Sequence, residues 1–92
     1  MEDTKIIITV SGADRVGIVA GVATVLSKYK ANIEDIKQTL MQGHFVMFML
    51  CDIKDAKLNF KDLKNKLIEE ANKLEVEIWV QKKGIFEKMH TV

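Results

Sequence analysis

The spacing of apolar residues along this chain changes from two to three or four and back again, twice, and that alternation restricts its fold more than any other feature. In Lys5-Ile6-Ile7-Ile8-Thr9-Val10-Ser11 the residues Ile6, Ile8 and Val10 share one side of a β-branched segment, which predicts a strand ending at Gly12. From Asp14 the period lengthens: Ile18, Val22, Leu26 and Tyr29 form a stripe that Val19, Ala23 and Val25 broaden, so a helix is expected with Asp14 as its N-cap. The small residues Gly17, Ala20, Gly21 and Ala23 allow close approach of a sheet or a ligand. Residues 33–41 read as a strand again, and Gln42-Gly43 separates them from the apolar run 45–50, a hairpin pattern. A two-residue turn there sets Leu40, Gln38 and Ile36 opposite Phe45, Met47 and Met49, and Thr39, Lys37 and Asp35 opposite Val46, Phe48 and Leu50. A second helical stripe, Phe60, Leu63, Leu67, Ala71 and Leu74, starts near Asn59; residues 75–81 then alternate, with Val76, Ile78 and Val80 on one side and Trp79 on the other.

The order is βαββαβ. Right-handed crossovers turn it into an α+β, ferredoxin-like sandwich: a four-stranded antiparallel sheet with two helices on one face. The 92 residues suit a single domain with its core at about residues 4–82, and the tail 83–92, with Ile85, Phe86 and Met89 at helical spacing, adds at most a short docked helix. At 48% hydrophobic residues the chain is too apolar for disorder, yet no apolar run approaches the roughly 20 residues of a membrane span. The first residues lack a signal-peptide pattern and Cys51 stands alone, which places the protein in the cytoplasm. A net charge of +1 provides no basic excess for nucleic acid or an acidic membrane.

With helices on one face, the other should be polar in a monomer. Instead the hairpin register puts Ile7, Val46, Phe48, Leu50 and Trp79 there among Thr9, Lys37 and Thr39, a patch expected to be a homodimer interface. No catalytic or metal-ligating set is legible: His44 and His90 show no ligand spacing with Cys51, which reads as a small buried hydrophobe, and no cofactor is expected. The charges of the second helix read as a solvated face. One segment stands out, Gly12-Ala13-Asp14-Arg15-Val16-Gly17-Ile18-Val19, where a strand leads into a helix. Unpaired N–H groups at a helix start can hold a carboxylate or phosphate, although a cap at Asp14 would explain the same residues.

These residues also carry a resemblance. Ser11-Gly12-Ala13-Asp14-Arg15-Val16-Gly17-Ile18-Val19 followed by Tyr29-Lys30-Ala31-Asn32-Ile33 resembles the ACT domain, the small-molecule regulatory module of amino-acid metabolism, whose pattern is Asp-Arg-Pro-Gly-Ile-Val and then Ala-Asn-Ile. The resemblance spans nearly the whole chain, and the tail is similar to that of stand-alone single-domain ACT proteins of prokaryotes. It implies a regulatory module, not an enzyme, that binds an amino acid or related metabolite between two copies. The implied ligand residues are Asp14, Arg15, Val16, Gly17 and Ile18 of the loop with Asn32 and Ile33, and the implied partners are a second copy and a metabolic enzyme or regulator. Val16 stands where proline is usual, restoring an N–H at the helix start. Three rivals remain: a ligand-free oligomerisation module, an RNA-binding βαββαβ domain and an acylphosphatase-type enzyme. The second lacks its stacking aromatic, which would fall at Gly43, and the third lacks its glycine-rich arginine loop.

Overall fold

The computed structural model describes residues 4–89. Its elements run β1 (Lys5–Ala13), α1 (Ile18–Lys28), β2 (Asn32–Met41), β3 (His44–Asp52), α2 (Phe60–Leu74), β4 (Glu77–Lys82) and α3 (Lys83–Met89). The four strands form one antiparallel sheet in the order β2-β3-β1-β4. The expected sandwich is therefore present, with β1 and β3 at its centre.

One face of the sheet makes the core. Ile6, Ile8 and Val10 of β1 and Met47, Met49 and Cys51 of β3 are shut off from solvent. Against them pack Ile18, Val22 and Leu26 of α1 and Leu63, Leu67 and Ala71 of α2. Each such Ile or Leu contributes roughly 1.5–3 kcal/mol relative to remaining exposed. The helices approach closely where α1 carries Gly21: a Cβ there would lie 2.7 Å from Glu70 Oε2 and 3.1 Å from Leu74 Cδ1. α1 packs towards β2 and α2 towards β4.

The hairpin has the expected register, Leu40 opposite Phe45, Lys37 opposite Phe48 and Asp35 opposite Leu50. Gln42 at φ 49° and Gly43 at φ 81° form the turn, both left-handed as a type I′ hairpin requires. A bulge interrupts the ladder between Ile33 and Asp35. It shifts the alternation by one, so Ile33 and Ile36, three residues apart, both face the helices.

Three boundaries differ from the sequence reading. β1 continues beyond Gly12 to Ala13, which pairs with His44. α1 begins four residues after Asp14, with Gly17 as N-cap. Residue 75 belongs to the end of α2 and not to the last strand: Glu75, at φ 58°, donates its N–H to the carbonyls of Ala71 and Asn72. The tail forms α3, which packs on β1 and β4 and sets Phe86 edge-on to Phe48, ring centroids 6.4 Å apart, so the face opposite the core helices is partly covered. His90 lies outside the described residues.

Candidate functional site

The loop from β1 to α1 owes its shape to two backbone features. Asp14 is exposed and caps nothing; its N–H donates to the Gly43 carbonyl at 3.0 Å, tying the loop to the tip of the hairpin. Gly17 then adopts φ 93° and ψ −1°, and its carbonyl accepts the first helical hydrogen bond, from Gly21 at 2.8 Å. No side chain caps α1 and its first turn holds no acidic residue. By contrast α2 is closed by its own sequence, Asn59 Oδ1 accepting from the Asp62 N–H at 2.8 Å. The first N–H groups of α1 thus keep their capacity to bind an outside acceptor, reinforced by the helix dipole. Space is available as well, because a Cβ on Gly17 would meet nothing within 4 Å.

Around this helix start, Val16 is fully exposed and Ile18 is buried in the core. Arg15 reaches across to Glu75, Nη2 to Oε2 3.6 Å, an exposed pair worth at most about 1 kcal/mol. The loop can therefore receive an anion through its backbone, with the Arg15 guanidinium close by in sequence.

Asn32 and Ile33, the other expected ligand residues, are elsewhere. Asn32 pairs with Asp52, and Asp52 with Lys5, so they sit at the end of the sheet opposite Ala13 and His44. The 11 residues of α1, about 16 Å of helix, separate Gly17 from this end. Within one chain the two groups do not meet. The Asn32 end is charged: Lys5 Nζ lies 2.5 Å from Glu34 Oε2 and 3.3 Å from Asp52 Oδ2. The Lys54 N–H, donating to Asp52 Oδ1 at 2.9 Å, is the main cause that holds the Asp52 carboxyl below its ordinary range.

The open face carries Ile7, Val46, Phe48, Leu50 and Trp79 as the register required, with Thr9 between Phe48 and Trp79. Phe48 is 42% and Trp79 47% exposed, whereas Ile7, Val46 and Leu50 are half-buried. At the hairpin end Ser11 Oγ lies 2.9 Å from His44 Nε2, a contact that residue spacing gave no sign of, because it follows from β1 extending past Gly12. Cys51 is buried among apolar side chains, which pushes its thiol up to about 12. Among the described residues no three His, Cys, Asp or Glu side chains converge as a metal site, and no helix is long and apolar enough to cross a membrane.

The sequence model of the ACT domain family matches residues 4–81. A UPF0237 protein of Clostridium acetobutylicum is 48% identical over 88 residues, 96% of this chain and 99% of that protein. Another, from Methanocaldococcus jannaschii, is 44% identical over 89 residues, 97% and 99% of the two chains. Among solved structures, an ACT domain protein from Streptococcus pneumoniae superposes with a TM-score of 0.79 at 38% identity, covering 94% of this chain and 97% of that one.

Proposed function

We propose that this chain, which belongs to the ACT domain family of regulatory ligand-binding modules, senses an amino acid or related metabolite as a homodimer, with each ligand held between two copies. One observation carries the reading: the uncapped start of α1 and Asn32 lie at opposite ends of the sheet, so a site that uses both needs a second chain. The ligand carboxylate meets the N–H groups at Gly17 and Ile18, beside Asp14, Arg15 and Val16. The partner's Asn32 and Ile33, near the Asp52 carboxylate, take the ammonium end.

The edge strand β2 is the contact that brings these groups together. It is ten residues long, its outer edge is unpaired among the described residues, and Ile36 and Leu40 on it are exposed. Pairing two copies of β2 antiparallel sets Asn32 of one beside Met41 of the other, at the end where Asp14 is tied to Gly43. The surface continues onto α1, where a hollow is lined by Ala20, Ala23, Thr24 and Ser27. The face with Ile7, Val46, Phe48, Leu50 and Trp79 is the second candidate for the contact, favoured by the exposure of Phe48 and Trp79. A copy stacked there is separated from the α1 start by the sheet itself, so the ligand reading selects the β2 edge. The regulated target is a metabolic enzyme or regulator reached by the ligand-loaded dimer.

Complementation tests this. Asn32→Ala and Gly17→Asn each remove one half of the site, and each alone should show no thermal shift with the amino acid that stabilises the parent protein. Refolded together in equal amounts they should recover about a quarter of the sites, because half of the dimers are mixed and each mixed dimer has one intact pair. No recovery would place the two halves in one chain or remove Asn32 from the site.

A further inference from the structure

A groove of about 310 Å³ lies on the open face, between α3 and the edge strand β2, on the side of the sheet opposite α1. Its floor is Ile7, Phe48 and Leu50, its wall is Phe86, and its rim is formed by Asp35 and Lys37. This is the make-up of a metabolite pocket: an apolar body near the lower end of the usual 300–1,000 Å³ with a few polar groups at its edge.

The rim residues specify what fits. Asp35 and Lys37 stand two apart on one strand, on the same side, which separates their Cα atoms by about 6.7 Å. Only the bulge at residue 34 puts them there: unbroken alternation from Ile33 would turn both towards the helices. Neither forms an ion pair with any described residue. Among the described residues Asp35 Oδ1 accepts only the neighbouring Ile36 N–H, at 2.9 Å. An opposite pair of unused charges over an aromatic and aliphatic floor matches a molecule with an ammonium and a carboxylate on one carbon and a bulky apolar body attached to it. We propose that the groove binds such a zwitterion, a free amino acid with a large apolar side chain, with its ammonium on Asp35, its carboxylate on Lys37 and its side chain between Phe86 and Leu50.

The test is an amide-shift titration of 15N-labelled protein with L-phenylalanine, phenethylamine and phenylacetate. L-Phenylalanine should give saturable shifts at Ile7, Lys37, Leu50 and Phe86, and the two single-charge analogues should bind more weakly. Lys37→Met should weaken L-phenylalanine and phenylacetate by about tenfold and leave phenethylamine unchanged, while Asp35→Asn should do the converse. Both side chains are exposed, so both variants should melt with the parent protein. Three results overturn the proposal: no shifts up to about 10 mM, shifts confined to residues 14–18 and 32–33, or shifts at Phe48 and Trp79 that follow protein concentration without ligand. The second assigns the amino acid to the loop site alone, and the third gives the groove to a second copy.

Discussion

Replacing Gly17 by alanine separates backbone strain from ligand contact at the start of α1. An L-residue held at φ 93° costs about 1–2 kcal/mol, since its Cβ crowds the following carbonyl. No steric cost adds to this, because the new methyl group would have nothing within 4 Å. Alanine also restricts the unfolded chain, which offsets a few tenths of the strain, leaving about 1 kcal/mol. For 92 residues at roughly 2.1 cal/mol/K each, the unfolding entropy is about 190 cal/mol/K, so the melting temperature should fall by about 5 °C. Asparagine visits the left-handed region more readily and should lose about half as much. D-Alanine, introduced by peptide ligation, has its favoured region at positive φ and should melt at or above the parent protein. Circular dichroism melts at one fixed protein concentration, with urea titrations to confirm an unchanged m-value, give all three numbers. L-alanine melting with the parent protein, or D-alanine melting below L-alanine, would refute the strain argument and with it the role of Gly17 as a left-handed cap.

Two further outcomes follow from single groups. Burial pushes the Cys51 thiol from 9.0 to about 12, so above pH 9 the unfolded chain gives up this proton first and stability falls as pH rises between those values. Urea melts at pH 8 and 10 should show the parent protein losing about 1.4 kcal/mol more than Cys51→Ala, and equal losses would mean that the thiol is hydrated in the fold. Asn59→Ala should remove the α2 cap and cost about 1 kcal/mol, whereas Asn59→Asp should restore most of it; thermal melts of the two variants decide.

The hairpin was legible residue by residue, and the reason is local: Gln42-Gly43 can close only a tight turn, and a tight turn fixes every pair behind it. Strict alternation hides the bulge, although Ile33 and Ile36 carry its signal, an apolar spacing of three inside a period of two. The start of α1 lies later than cap propensity at Asp14 implies, because the ladder between β1 and β3 runs on to Ala13 and His44 and takes the Asp14 N–H for the hairpin tip. Gly17 directly before Ile18 was the better signal, a left-handed residue ahead of the first buried position. The docking of α3 rests on Phe86 meeting Phe48, a contact between segments far apart in sequence that periodicity does not reach.

The split of the expected site is a property of the topology. In a βαβ crossover the helix carries the chain back along the sheet, so the exit of β1 and the entry of β2 lie a helix length apart whatever the residues are. On the function proposed above, a ligand held by Gly17 and by Asn32 spans two chains, and its binding free energy adds to the free energy of association. At 100 times its dissociation constant each bound ligand stabilises the pair by about 2.7 kcal/mol, and an isologous pair has two such positions. A dimer too weak to persist alone at cellular concentration becomes the dominant species once both are filled. The proposed coupling needs no movement inside the fold: filling the two positions would change the state of assembly alone, and that state would then follow metabolite concentration.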